Sequence, residues 1–212
     1  MNAEVHEIRD RCRRNLNQYT LKAFSQIPRM EKPHILDMGC GTGEAALAVL
    51  KRTDGHIVGV DADPSCLSRF REKVRGAEDG DRITIIQGSA LDTDILKGKF
   101  DIVLAEGVLH IIGFEKGLNI LLGHLHQNGY LIIHDGLDRD GEMRGLFAKY
   151  NLALLDFFVL DEAVWWNDYY KHLEEAVRGK DSSVFREEIS EIAAYKENPE
   201  RFSSICYVLH RQ

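Results

Sequence analysis

The sequence predicts a single α/β domain, with a mostly parallel sheet between layers of helices. Short apolar runs of strand length alternate with segments whose apolar residues recur every three or four positions, which is the period of one helix face. The first run, residues 34–38, passes through three alternate glycines into an Ala/Leu-rich segment, as a strand, tight turn and helix start would. Because such connections are right-handed helical crossovers, consecutive strands are expected to run parallel.

The composition limits the kinds of partner. The 212 residues are 44% hydrophobic and 29% charged, and the formal net charge is 27 − 34 = −7. This length is enough for one α/β domain with a full core. The acidic total argues against nucleic acid or an anionic membrane as a partner.

The four cysteines are scattered and form no CxxC pair. They are Cys12, Cys40, Cys66 and Cys206. This pattern predicts reduced thiols, with neither a disulfide framework nor a zinc or other metal site. The sequence has no apolar signal core and no run near the roughly 20 residues of a membrane span. It therefore predicts a cytoplasmic protein, and leaves open whether that protein is a monomer or a homodimer.

An apolar helix face precedes the first strand. Its members are Val5, Ile8, Cys12, Leu16, Tyr19, Ala23 and Ile27. Their spacing predicts one helix over residues 3–27, which Pro28 and Pro33 end. The helix is expected either to pack against the sheet or to form a lid on the ligand side, through Tyr19.

The glycine turn after the first strand indicates the kind of ligand. Its glycines are Gly39, Gly41 and Gly43. A dinucleotide-binding turn would need its third glycine at the position of Glu44. Asp37, at the strand tip, would in addition repel a pyrophosphate. A cationic ligand that carries a nucleoside fits this turn better.

The next two strands add polar groups at the same edge of the sheet. The second strand, 56–60, ends at Asp61, eighteen residues after Gly43, close to the spacing at which an acid meets ribose hydroxyls. Asp63-Pro64 reads as the cap and first turn of a helix. The third strand, 82–87, leads into a turn at residues 88–92.

The fourth and fifth predicted strands, 99–105 and 130–133, are joined by a helix over 114–126. Their carboxyl ends carry Glu106 and His134-Asp135, and His110 follows Glu106 closely. In open α/β sheets, ligands bind beyond the carboxyl ends of the strands. A lone histidine on a helix turn is more often structural, and His134-Asp135 fits a capping pair for the next helix equally well.

The C-terminal third continues the alternation. A helix is predicted over 140–150, a buried sixth strand over 152–160, a last helix around 185–192 and a terminal strand over 205–210. Four aromatic residues lie between Trp165 and Tyr170, and they cannot all face one stripe of a helix. They are expected to form core and edge packing, or an aromatic wall over a pocket for a small amphipathic or cationic molecule.

Two segments together resemble a known family. The pattern Asp37-x-Gly39-x-Gly41-x-Gly43 resembles the first motif of the class I S-adenosylmethionine-dependent methyltransferases. The stretch from Ala105 to Leu118 resembles their small-molecule type. The resemblance implies a three-layer Rossmann-like fold with a seven-stranded sheet whose last strand is antiparallel. It implies S-adenosyl-L-methionine as cofactor, S-adenosyl-L-homocysteine as product, and a cofactor-binding core over 32–137, flanked by a helical cap (1–31) and a substrate-side part (138–212).

The resemblance also assigns roles to individual residues. The implied cofactor contacts are Asp37, Gly39, Cys40, Gly41, Gly43, Asp61, Ala62, Ser89, Ala90, Leu91 and Glu106. Ser89 departs from the family, which often has an acid there. Asp92 could take over that contact with the adenine or could cap a helix. The catalytic candidates are Glu106, His110 and His134, with Asp135 as a further possible base.

The sequence therefore predicts methyl transfer to a small-molecule acceptor. It lacks the Asn/Asp-Pro-Pro-Tyr/Phe segment that marks many methylators of nucleic-acid amino groups. One alternative is a non-catalytic S-adenosylmethionine-binding or regulatory subunit, which would keep Asp37 and Asp61 without an acceptor pocket. Another is a nicotinamide-dependent oxidoreductase, against which Asp37 and Glu44 both count.

Overall fold

The computed structural model describes residues 3–92, 95–96 and 98–212. Seven strands form one sheet in the order β3-β2-β1-β4-β5-β7-β6. They are β1 (His34–Met38), β2 (His56–Asp61), β3 (Ile83–Gln87), β4 (Phe100–Glu106), β5 (Leu125–Gly136), β6 (Leu152–Leu160) and β7 (Ser204–Arg211). The first five strands pair in parallel, and β7 runs antiparallel between β5 and β6. The predicted Rossmann-like methyltransferase sheet with an antiparallel last strand is confirmed.

Ten α-helices surround this sheet in the described ranges. They are α1 (Ala3–Arg13), α2 (Asn17–Phe24), α3 (Glu44–Leu50), α4 (Pro64–Arg75), α5 (Leu109–Ile112), α6 (Phe114–His124), α7 (Asp140–Lys149), α8 (Glu162–Trp165), α9 (Lys171–Val177) and α10 (Arg186–Glu197). As predicted, Asp63 caps α4: its side chain accepts from the backbone N–H groups of Ser65 and Cys66, which the helix itself leaves unpaired. No helix of the described chain is long and apolar enough to cross a membrane.

The sheet separates two apolar cores. One face packs against α2, α3 and α4, with Ala23, Val49 and Phe70 in the same cluster as Ile35 of β1. The other face packs against α5, α6 and α7. The central strands are buried on both faces and read in the sequence as continuous apolar runs for that reason.

A third apolar cluster lies apart from the sheet and forms a helical cap. It joins Val5, Ile8 and Cys12 of α1 to residues of α9, α10 and the segment before α9. That segment, Trp166–Tyr170, is a π-helical turn. Both ends of the chain thus build the cap, which we define as α1, α8–α10 and this π-helical turn.

The predicted N-terminal helix is present, but the prediction that it is continuous over residues 3–27 is wrong. A 3₁₀ turn at Arg14–Leu16 divides it into α1 and α2. Val5 and Ile8 pack into the cap, whereas Ala23 and Ile27 pack against the sheet. One straight helix face cannot pack against two apolar clusters that lie in different directions. The helix is therefore interrupted between the residues that pack in the cap and those that pack against the sheet.

The prediction that the sixth strand is buried is also wrong. β6 has the predicted bounds but lies at the edge of the sheet, and Leu155, Phe157 and Val159 are exposed by 44–47%. The chain inserts β7 between β5 and β6. An apolar run alone does not distinguish this edge position from a central one. The helix that Asp92 could cap would begin at residues 93–94, which lie outside the described residues.

Candidate functional site

Three acidic residues come together at the carboxyl ends of the central strands. Asp37 lies in β1, and Asp61 and Glu106 end β2 and β4, which flank β1 on either side. Glu106 lies opposite His134 in the pairing of β4 with β5. The parallel register therefore brings the predicted residues of four strands to one edge of the sheet.

The glycine turn is held by backbone hydrogen bonds. The N–H groups of Gly39 and Cys40 donate to the carbonyl oxygen of Val60 at 2.8 and 3.0 Å. The N–H of Gly41 donates to Oδ2 of Asp61 at 2.8 Å. These bonds bind the turn to the end of β2, so the predicted glycines and Asp61 form one unit.

The glycines of this turn face different surroundings. Gly43 has φ +78°, and a Cβ there would lie 2.1 Å from the Phe70 ring. Gly41 has φ +51°, and a Cβ there would have no atom within 4 Å. Gly43 is thus needed for packing between the turn and α4, whereas Gly41 borders open space into which a ligand can approach.

Asp37 is a buried acid with an unpaired oxygen. The residue is 2% exposed, and its Oδ2 has no hydrogen-bond partner among the described residues. Burial, and then the nearby charges of Glu106 and Asp61, raise the pKa of Asp37 to about 8. A cation at this point would supply the missing partner and favour the ionised carboxylate.

The turn after β3 is attached to the same edge. The N–H of Gly88 donates to the carbonyl oxygen of Asp61 at 2.9 Å, and Oγ of Ser89 accepts from the N–H of Leu91 at 3.1 Å. Ala62 and Leu91 are exposed and Ala90 is half-buried. Cys40 is buried, and burial raises the pKa of its thiol well above the usual value, so this thiol stays protonated.

The three catalytic candidates have distinct partners. Oε1 of Glu106 accepts from the hydroxyl of Thr20 at 2.7 Å. Nδ1 of His110 lies 3.0 Å from Oδ1 of the buried Asp135, and the His110 side chain is 56% exposed. A histidine held at Nδ1 by a carboxylate presents Nε2 outward, in the arrangement of an oriented base.

His134 is more enclosed. Its Nε2 lies 2.8 Å from the hydroxyl oxygen of Ser204, which also accepts from Nε1 of Trp165 at 2.9 Å. The His134 and Trp165 rings stack with centroids 6.1 Å apart. Burial lowers the pKa of His134, so we assign it the neutral form at pH 7.

The N-terminal helices lie against this edge. Asp10 of α1 accepts from the hydroxyl of Thr42 in the glycine turn and pairs with Arg69 and Lys73 of α4 at 3.1 and 3.0 Å. The hydroxyl of Tyr19 donates to Oδ2 of Asp168 at 2.6 Å. α1 is thereby attached to the turn, and α2 is attached both to Glu106 and to the π-helical turn of the cap.

Sequence reasoning missed Asp10, Thr20 and Ser204. Asp10 is 1% exposed and four residues after the buried His6, so a polar pair at helical spacing was its only signal. Thr20 and Ser204 reach the site from elements far away in the chain. No local pattern indicates such contacts.

The hydrogen bond between Tyr19 and Asp168 gives a first prediction. Tyr19→Phe removes the hydroxyl and keeps the ring that contacts Phe158. We expect amide exchange in α2 to quicken by about tenfold or less, because one charge-assisted hydrogen bond is lost. Exchange in β1 should not change. Ser183→Ala, at a surface loop, is the control, and equal exchange in wild type and Tyr19→Phe would show that this bond does not hold α2.

Residues 35–129 match a family model described as a methyltransferase domain. The ribosomal protein L11 methyltransferase of Clostridium botulinum (strain Eklund 17B / Type B) is 40% identical over 136 residues, which cover 54% of this chain and 42% of that protein. This chain therefore spans less than half the length of that relative.

Two solved structures share the fold over most of the chain. An S-adenosylmethionine-dependent methyltransferase from Geobacter sulfurreducens, in complex with S-adenosyl-L-homocysteine, has a TM-score of 0.72 at 14% identity and covers 92% of this chain and 91% of its own. The [4+2]-cyclase SpnF has a TM-score of 0.77 at 14% identity, with 92% and 81% covered. The fold therefore supports more than one reaction.

The family match begins in β1 and ends in β5, so it contains the glycine turn, Asp61 and Glu106. Among the described residues no group of three or more His, Cys, Asp or Glu side chains could hold a metal ion. Residues 35–129 thus match a methyltransferase domain, and the chain has the fold of the class I S-adenosylmethionine-dependent methyltransferases.

Proposed function

We propose that this protein transfers a methyl group from S-adenosyl-L-methionine to a small-molecule acceptor. The observation that carries the proposal is the unpaired, buried Oδ2 of Asp37 beside the open face of Gly41. A buried carboxylate without a partner is costly unless a cation meets it. S-adenosylmethionine carries both an ammonium and a sulfonium, whereas the neighbouring acids Glu106 and Asp61 would repel a pyrophosphate.

The neighbouring groups fit the rest of such a cofactor. Asp61 uses each carboxylate oxygen once, for the N–H groups of Gly41 and Asp63, and each oxygen keeps a lone pair for a ribose hydroxyl. The turn at Ser89 to Leu91 would lie along the adenine through backbone groups. The cofactor supplies a methyl carbon already activated by the sulfonium, so the chain's own task is to position the acceptor and exclude water.

Two features favour a small acceptor. α2 and the π-helical turn are joined beside the strand ends by Tyr19 and Asp168, with Trp165 stacked on His134. The acceptor would therefore enter a space bounded by Glu106, aromatic rings and the cap. A folded protein chain would need a flatter surface, and the L11 methyltransferase of Clostridium botulinum is matched over only 42% of its own length.

We assign different tasks to the three candidate side chains. Glu106 would orient the acceptor and attract a positive or polar group. His110, held by Asp135, would take a proton from an acceptor hydroxyl or ammonium through Nε2. His134 would act as a neutral wall of the pocket, fixed by Ser204. Solvent-exposed His110 can pass the proton to water, which a base enclosed like His134 could not do as readily.

Calorimetry with S-adenosylmethionine and S-adenosylhomocysteine tests the cofactor. We expect micromolar binding of both and no binding of NAD. Binding of NAD alone would instead support a nicotinamide-dependent oxidoreductase. The acceptor class is then tested with radiolabelled S-adenosylmethionine and two pools, small amines and phenols on one side and ribosomal proteins on the other. Label only in ribosomal protein would refute the small-molecule proposal, and cofactor binding without transfer to either pool would favour the non-catalytic alternative.

A second prediction concerns Glu106. Glu106→Gln keeps the side chain's size and its acceptor oxygen for Thr20 while removing the charge. We expect kcat to fall by about 10- to 100-fold, with a change in cofactor Kd of less than about threefold, because the acceptor loses its orienting charge. Thr20→Val, which removes the hydroxyl and keeps the carboxylate, is the matched control and should lower kcat much less. A larger loss of cofactor affinity than of kcat would reassign Glu106 to cofactor binding.

The assembly and location of the protein stay predictions. We propose a monomer or homodimer in the cytoplasm. The acidic formal charge of −7 supports only the absence of nucleic-acid and anionic-membrane partners. Light scattering with and without S-adenosylhomocysteine measures the assembly state directly.

A further inference from the structure

A cleft of about 750 Å³ opens away from the candidate active site. It lies where α2 ends, where α3 ends and where the chain enters β1. Apolar side chains make its floor, namely Leu21, Phe24, Ile27, Met30, Pro33 and Ile102. Ile102 belongs to β4, so the cleft reaches the sheet. Its volume is that of a small-molecule site.

The rim of this cleft is strongly basic in an acidic protein. Lys22, Arg29, Lys51 and Arg52 line it, with Asp54 as the single acid. The N–H of Lys32 donates to Asp54 at 3.0 Å, and this bond and Arg29 lower the pKa of Asp54. Four cations against one carboxylate, in a chain of net charge −7, give the rim a local positive potential.

The ends of the two helices do not account for these cations. Basic side chains often lie at helix C-termini to meet unpaired carbonyl groups. At the end of α3, however, Arg82 already donates to the carbonyl oxygens of Leu50, Thr53 and Gly55. At the end of α2, Ser25 donates to the carbonyl oxygens of Leu21 and Lys22.

The cations at the end of α3 also lack partners. Across residues 3–92, 95–96 and 98–212, the side chains of Lys51 and Arg52 make no hydrogen bond or ion pair, and both residues are exposed. Lys22 lies 4.0 Å from the centre of the Phe158 ring. The rim therefore keeps a net positive charge, because Asp54 is the one carboxylate that lines it.

We propose that this cleft is a second ligand site, which binds a small anion with an apolar body, such as a medium-chain or aromatic carboxylate or sulfonate. The apolar part would lie over Phe24, Met30 and Ile102, and the anionic group would meet Arg29 and Arg52. This site is separate from the cofactor site, because its lining residues belong to the opposite ends of β1 and α3 from Asp37 and Gly43.

Fluorescence titration with 8-anilinonaphthalene-1-sulfonate tests this site, with decanoate as the competitor. We expect saturable binding of one probe per chain, displacement by decanoate, and no displacement by S-adenosylhomocysteine. Displacement by S-adenosylhomocysteine would place the probe in the cofactor site and overturn the proposal. Binding to anionic lipid vesicles without binding of monomeric decanoate would overturn it as well, because the occupant would then be a membrane.

Charge variants locate the anion. The double variant Arg29→Gln with Arg52→Gln should weaken probe binding by about tenfold or more, since two charged contacts are lost. The matched control, Lys116→Gln with Arg186→Gln, removes two exposed cations elsewhere and should bind as the wild type does. All four residues are exposed, so folding is not at stake. Equal affinity in the two double variants would show that the probe binds outside this cleft.

Discussion

Gly43→Ala is expected to destabilise the protein by about 2–5 kcal/mol. Two costs add: a non-glycine residue at φ +78° costs about 1–2 kcal/mol, and overpacking in a filled core costs about 1–3 kcal/mol. The new Cβ would lie 2.1 Å from the Phe70 ring, and Phe70 is fully buried in the core of that sheet face. Chemical denaturation measures this loss, which is a large part of the stability of a typical domain.

Gly41→Ala separates binding from packing in the same turn. Its Cβ meets no atom within 4 Å, so we expect a loss of only about 1 kcal/mol from the left-handed backbone. Cofactor affinity should fall by about tenfold or more, because the methyl group occupies the space into which the ligand approaches. Calorimetry measures that affinity. If Gly41→Ala bound the cofactor as the wild type does, the ligand would not lie against this face of the turn.

The core of the fold could be predicted because the local sequence pattern of each element matches the position that the element takes in the folded sheet. β1 and the β2 end at Asp61 were found from apolar runs that stop at acids, and the start of α4 from its proline and capping aspartate. In buried parallel strands, every residue of the run is apolar. A continuous apolar run then indicates both that the segment is a strand and that the strand lies in the centre of the sheet.

The errors arose where partners are distant in the chain. The apolar pattern of β6 predicts a buried strand, but the insertion of β7 leaves it at the edge. The N-terminal pattern predicts a continuous helix, but two cores require α1 and α2 to separate. A local apolar pattern encodes neither fact, because each depends on which distant element packs beside the segment in the fold.

The candidate site was predictable to a similar degree. Asp37, the glycines and Asp61 follow from strand ends and turn chemistry, and the structure brings them to one edge of the sheet. Their contacts with a cofactor stay predictions. The tie of Glu106 to Thr20 and the position of Ser204 between His134 and Trp165 depend on side chains that meet only in the fold. The neighbours that each of these side chains meets were therefore outside the reach of spacing arguments.

Asp37→Asn is expected to stabilise the free protein at pH 8 and to lower its affinity for the cofactor. In the folded chain the pKa of Asp37 is about 8, against an ordinary value of 3.8. Between these pH values the folded state keeps a proton that the unfolded chain releases, so the free energy of unfolding falls as pH rises. The amide does not titrate. The variant should lose this part of the pH dependence and gain most over the wild type near pH 8.

Cofactor binding should respond in the opposite sense. A sulfonium or ammonium beside Asp37 favours the carboxylate, so binding to the wild type should release a proton below pH 8 and tighten as pH rises. In Asp37→Asn the affinity should fall by about 100-fold, as for the loss of a buried charge-assisted contact, and no proton should be released. Calorimetry in buffers of different ionisation enthalpy measures both quantities.

Asp81→Asn is the matched control for these experiments. Asp81 is exposed, so this variant should follow the wild type in stability, affinity and proton release. If Asp37→Asn also followed the wild type in proton release, the cation would lie elsewhere, and Glu106 would be the next carboxylate to test. If the stability of the wild type did not fall relative to that of Asp37→Asn between about pH 6 and about pH 8, Asp37 would be ionised in the free protein. The free site would then contain an ionised carboxylate at Asp37 and not a protonated carboxyl group that ionises when the cation binds.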